Sequence, residues 1–160
     1  MSMTVRLLLE VITLSNQPAL HSVSVSGVII DDQGRALLIQ RRDNGPWEPP
    51  GGVLEIRESI QDGLRREVRE ESGLEVEPTA LTGVYKNMAR GIIALVFRCT
   101  VTGGQLTTND EVAGFLWGTE ADVTQLTAEA YAVRILDAIN HANLPVIRQH
   151  DGMHVVDAPQ

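Results

Sequence analysis

Hydrophobic positions along the chain change period several times, and each change marks an element. Val5, Leu7, Leu9 and Val11 alternate with Arg6, Leu8, Glu10 and Ile12, which favours a strand over a helix until Asn16-Gln17-Pro18 breaks the pattern. From His21 the alternation is cleaner. Val23 and Val25 lead into Gly27-Val28-Ile29-Ile30, a run expected of a strand buried on both faces. Asp31-Asp32-Gln33-Gly34 predicts a hairpin turn, with Arg35 to Arg42 returning as its partner strand. Asn44-Gly45-Pro46 turns the chain again. Pro49-Pro50 then stiffens it, and Gly51-Gly52 permits a close backbone approach to a ligand or metal.

Between Gly52 and Leu74 the period becomes helical. Ser59 can cap the start with Asp62 as the other half of a capping box, and Gly73 stands where a left-handed residue ends a helix. At about 100° per residue, Ile60, Leu64 and Val68 form one apolar stripe. Glu67 and Glu71 project along this stripe and Glu70 stands at its edge, whereas Arg65, Arg66 and Arg69 lie well away from it. Like charges roughly 6 Å apart repel by about 3 kcal/mol at an effective dielectric near 20. An acidic helix face of this kind is ordinarily solvated and laced by arginines. Here the acids share a face with core residues, which fits a hard divalent cation bound through oxygen.

Farther on, Glu75 to Thr79 reads as a short extended segment ending at Pro78. Leu81–Lys86 and Ile92–Val101 read as paired strands, and Gly103-Gly104 as a turn. Glu111–Trp117 is expected as the final strand. Thr119 and Asp122 predict a capped short helix, and Thr127 caps a longer one whose stripe is Ala132, Ile135, Leu136 and Ile139. From Pro145 onward no firm element is expected. Mixed strands with one central and one terminal helix predict an α+β or layered α/β fold.

With 160 residues, 43% of them hydrophobic, the chain suits one globular domain. A formal net charge of -8 argues against general affinity for nucleic-acid backbones, although a metal can reverse the local sign for one phosphorylated small molecule. The single cysteine, Cys99, sits in an apolar run and reads as a core thiol. No membrane span or signal peptide is visible, so the expected location is the cytoplasm. The four histidines show no ligand spacing, and no Walker loop, dinucleotide fingerprint or Ser-His-Asp arrangement appears.

The order Gly52, Glu58, Arg66-Glu67, Glu70-Glu71, Gly73-Leu74 resembles the signature of the Nudix hydrolases, with every specified position matched across these 23 residues. The compatible strand pattern extends the resemblance to roughly 20–142, leaving 1–20 as an amino-terminal arm and 143–160 as a carboxy-terminal tail. It implies an α/β/α sandwich around a curved mixed sheet, and a Mg2+-dependent hydrolase, with Mn2+ as an alternative cation. The substrate would be a nucleoside diphosphate linked to another group X.

The resemblance assigns the metal to Glu67, Glu70, Glu71 and the carbonyl of Gly52, and a structural ion pair to Glu58 and Arg66. The general base is left between Glu71 and Glu111, and Glu111 also reads as a surface charge. Arg41 and Arg42 are either phosphate contacts or solvated strand-end charges, and Trp47 or Tyr85 could flank a base. Some subfamilies carry a proline or tyrosine sixteen to eighteen residues past the signature, where this chain has Arg90-Gly91-Ile92. Signals for ADP-ribose and dinucleoside polyphosphate enzymes are therefore missing, and nucleoside triphosphates, sugar nucleotides and, less favoured by charge, capped RNA stay open. A non-catalytic nucleotide-sensing module on the same fold is the second class, but such modules commonly lose signature glutamates that are present here. Finally, Val5–Ile12 has two apolar faces, which a homodimer would cover.

Overall fold

A computed structural model of the chain describes residues 19–43 and 45–157. The amino-terminal segment Val5–Ile12, expected as a strand, lies outside the described residues.

The clean alternation after His21 becomes β1 (Ser22–Ile29), which is buried from Val25 onward. It pairs in parallel with β6 (Ile92–Gly104) and antiparallel with β4 (Gly51–Val53). Together with β5 (Leu74–Asn87), β8 (Val146–His150) and β9 (Val155–Val156), the described residues form a six-stranded mixed sheet in the order β4-β1-β6-β5-β8-β9. A second, three-stranded antiparallel sheet holds β3 (Trp47–Glu48), β2 (Ala36–Arg41) and β7 (Val112–Gly118).

Helices cover both faces. On one, α1 (Ile60–Ser72) puts Leu64 and Val68 against Val25, Ile29, Leu37 and Val76. On the other lie α2 (Glu120–Leu126) and α3 (Glu129–Ile139), whose Val123, Ala132, Ile135 and Ala138 pack on Val28, Leu38, Tyr85 and Val96. Within β1, Val25 and Ile29 face α1 while Val28 faces α3, as side-chain alternation requires. This is the expected mixed α/β fold. Cys99 is buried in the α1-side core, where burial pushes its thiol up to about 12.

Several expectations are revised. The turn at Asp31–Gly34 forms, but it sends β2 into the second sheet, leaving only the Ile30–Ala36 bridge between its arms. Pro78 does not end an element. β5 runs through it with irregularities around Pro78/Ala80 and Leu81/Gly83. Its pairing with β8 begins only at Gly83, so proline falls where the missing N–H is tolerated. β6 reaches Gly104, opposite Leu74, so the chain turns later than Gly103-Gly104 predicted.

Thr119 and Asp122 form a full capping box, but Thr127 ends α2, donating to the Val123 carbonyl, while Ala128 precedes α3 without a side-chain cap. β7 is not the last strand, because β8 adds in parallel to β5. Its partly and fully buried positions include Arg148 and His150, so hydrophobicity gave no signal there.

Candidate active site

The site is built from the carboxyl half of α1. Ser59 accepts from the Asp62 N–H at 3.1 Å and returns its own hydroxyl proton to Asp62 Oδ2 at 2.7 Å. At the other end Gly73 adopts φ 79° and donates to the Arg69 carbonyl. With both ends fixed and Leu64 and Val68 in the core, Glu67 and Glu71 are driven toward β4.

Glu71 is 4% exposed. Its Oε2 accepts from the Gly51 N–H at 2.7 Å, and its Oε1 lies 3.5 Å from Arg41 Nη1. Burial, reinforced by the charges of Glu67 and Glu48, raises its carboxyl to about 7 against the pull of Gly51 and Arg41. Glu67 is also raised, again first by burial. Its carboxylate fills the space over Gly52, where any Cβ would collide with it.

Arg66 does not stay clear of the acids. It reaches Glu58 through Nε and Nη2 at 2.9 and 2.6 Å, while Nη1 touches Glu67 at 2.8 Å and Glu70 at 3.2 Å. Folding back along the helix lets one guanidinium serve three carboxylates. Its fork, with the Glu55 N–H, holds Glu58 down at about 2. Glu70 is the more exposed of the two acids on Nη1.

These residues offer hard oxygen donors beside a glycine cradle, a chemistry that fits a divalent cation. Among the described residues no three acidic side chains already close on one point, because Glu67 and Glu70 are turned to Arg66.

Arg41 pairs with Asp43 at 3.1 Å and reaches Glu48 and Glu71 at longer range. Arg42 donates from Nε to the Asn109 carbonyl and from its backbone to the Glu111 carbonyl, both at 2.8 Å. Asn109 in turn donates to the Glu70 carbonyl at 2.8 Å, tying this loop to the end of α1. Glu111 is exposed and shares a cleft of about 230 Å3 with Arg41, Arg42, Asp43 and Asp110. Trp47 is half-buried against the α3-side core.

Tyr85 needs correction. It is fully buried, and its hydroxyl donates to Asp137 Oδ2 at 2.8 Å, so it belongs to the core and not beside a base. Asp137 also takes both arms of Arg148 at 2.7 Å.

Composition and spacing passed over Glu48, Asn109 and Arg134. Glu48 is mostly buried beside Arg41 and its pKa is raised by burial. Arg134 lines a cleft of about 170 Å3 that also includes Arg41, Glu48, Gly51 and Gly52. A signal for it existed: Ala130, Arg134 and Ala138 recur every fourth residue on one buried face of α3.

The profile of the NUDIX domain matches residues 20–138. A MutT-like protein of Streptomyces ambofaciens is 51% identical over 144 residues, 90% of this chain and 93% of that protein. The human 8-oxo-dGDP phosphatase NUDT18 is 34% identical over 83% of this chain, which spans only 37% of that protein's length. In three dimensions the fold is similar to an ADP-ribose pyrophosphatase from Streptococcus suis, with a TM-score of 0.69, 21% identity, and coverage of 82% of this chain and 100% of that one. With signature, fold and profile in agreement, the chain belongs to the Nudix hydrolase family.

Proposed function

We propose that this protein is a Mg2+-dependent pyrophosphohydrolase, with Mn2+ as an alternative, acting on a nucleoside diphosphate linked to another group X. One observation carries the reading: a buried Glu71, with only a long 3.5 Å contact to Arg41, is held by the Gly51 N–H next to Glu67, on a helix that also presents Glu70. A fold keeps such a cluster at a cost unless a cation neutralises it. Nudix hydrolases generally use divalent metal ions. Glu67, Glu70, Glu71 and the Gly52 carbonyl would hold the ion, which when bound would offset phosphoryl charge and favour deprotonation of the attacking water.

The chain's own residues do the positioning. Gly51 orients Glu71, Gly52 leaves room for Glu67, and the Glu58–Arg66 pair steadies the two outer glutamates. Glu71 is the better candidate to take the water's proton. It borders Gly51 and Gly52 of β4, whereas Glu111 shares the cleft of Arg42 and Asp110. Arg41 lines both the cleft beside Gly51 and Gly52 and that of Glu111, so it is the phosphate contact favoured over Arg42, which lines the latter. Trp47, partly exposed on β3, is kept as the aromatic that could flank a base.

The relatives' names point to different nucleotides, so the test is a panel. Purified protein with Mg2+ is offered nucleoside triphosphates, 8-oxo-dGDP, sugar nucleotides and ADP-ribose, and release of phosphate and nucleoside monophosphate is read. Turnover of at least one substrate is expected. Nucleotide binding without turnover throughout would favour a sensing module.

A cytoplasmic homodimer completes the reading. Among the described residues no helix is long and apolar enough to cross a membrane. The two-faced apolar pattern of Val5–Ile12 suits a subunit contact. Light scattering should give a dimer for the full chain, and a monomer or insoluble protein after deletion of residues 1–16. A monomeric full chain removes this part.

A further inference from the structure

Arg134 is a cation that the fold leaves poorly satisfied. It is 7% exposed, and no carboxylate among the described residues forms a close ion pair with it, Glu48 acting on it only at longer range. Its Nε is the one buried side-chain polar atom without a hydrogen-bond partner among the described residues. The remaining edge contact is itself contested. Arg134 Nη2 lies 3.1 Å from His150 Nε2, while the Gly152 N–H points at His150 Nδ1, also at 3.1 Å. A neutral imidazole has a single acceptor nitrogen, so it cannot serve both donors, and a protonated ring would serve neither. Burial and the Arg134 charge both keep His150 from gaining that proton.

The faces of the guanidinium are treated differently. They lie 4.6 Å from the ring centroid of Tyr131 and 5.6 Å from that of Tyr85. Such stacking holds a cation in place without consuming its N–H donors. The result is a pre-positioned fork with unspent hydrogen bonds. It forms a wall common to the cleft of about 170 Å3 beside Gly51 and a second of about 240 Å3 that reaches Arg90 and His150. Gly52 lines both clefts and also cradles Glu67, so this wall borders the glutamate cluster. Within the first cleft, Arg41 is already engaged by Asp43, Glu48 and Glu71.

We propose that Arg134 binds a phosphoryl group of the substrate from the wall shared by the two clefts, donating bidentate hydrogen bonds to its oxygens. The assignment rests on the pyrophosphohydrolase reading and adds to it the group that grips the diphosphate from α3. A planar fork matches a phosphate as no point charge does.

The test uses methylenediphosphonate, a diphosphate that cannot be hydrolysed, with Mg2+ and the full chain. Calorimetry compares wild type with R134M and R134K, and melting of the unliganded proteins is recorded alongside. R134M should bind the probe roughly 10- to 100-fold more weakly. R134K should also bind more weakly than wild type, because it loses the fork. Unliganded R134M should melt at or above the wild-type temperature, since an apolar chain of similar length removes an unpaired buried charge. The proposal is overturned if wild type does not bind the probe, if either variant binds it as wild type does, or if unliganded R134M melts well below wild type. Arg134-dependent binding with no turnover on the nucleotide panel would count against the hydrolase reading alone.

Discussion

The Gly51 N–H donates to Glu71 Oε2 at 2.7 Å, giving a nearly water-free carboxylate a fixed orientation. Charged, Glu71 suits a cation; without one, burial favours its neutral form. The same residue therefore links stability, pH and metal.

The sign follows from where the proton binds. The folded carboxyl sits at about 7 against 4.5 for the free group, so the native state holds more protons between these values. Its contribution is fully present below about 4.5 and is lost as pH rises through about 7. In EDTA, melting should fall across this window by on the order of 2 kcal/mol of stability. E71Q should flatten the profile, and Mg2+ should restore stability at the alkaline end. A pH-independent difference between wild type and E71Q would exclude this coupling.

Gly51 and Gly52 fail differently when given a side chain. A Cβ at Gly51 meets the backbone of Val25 and Ser26, whereas at Gly52 the nearest atoms are those of the Glu67 carboxylate. G51A should therefore be strongly destabilised. G52A should fold and lose about 100-fold in kcat/KM, the scale of a misplaced catalytic group. Equal activity of G52A and wild type would show that Glu67 does not need its cradle.

Tyr85 offers a control on the core. Y85F removes the hydrogen bond to Asp137, which Arg148 still holds, and should cost about 1–2 kcal/mol by denaturation while leaving KM unchanged. A raised KM with unchanged stability would return Tyr85 to the substrate.

Legibility tracked how much of each element's chemistry was local. Ser59, Gly73 and the Leu64–Val68 stripe defined α1 because caps and period lie within one segment. The acids of the site were readable for the same reason, since their spacing on one helix is fixed. The helical period alone set Arg66 apart from them, whereas the resemblance paired it with Glu58, because a long side chain can reach four residues forward to Glu70 and eight back to Glu58. Tyr85 was misread because its partner, Asp137, is 52 residues away. β8 was invisible because its inward positions include Arg148 and His150, whose partners Asp137 and Arg134 stand on α3. Arg134 was hidden by the reverse effect: a charge set in a helix otherwise read as core.

The most direct measurement is hydrolysis by E70Q beside wild type, with Mg2+ and in excess EDTA, on whichever substrate the panel identifies. Glu70 is well suited because its side chain is 58% exposed and its contact with Arg66 spans 3.2 Å, so the fold should be little affected. A neutral amide is a poor Mg2+ ligand, and turnover should fall by about 100-fold or more, while EDTA should abolish it in wild type. Full activity of E70Q, or undiminished wild-type turnover in EDTA, would contradict a cation held by the α1 glutamates.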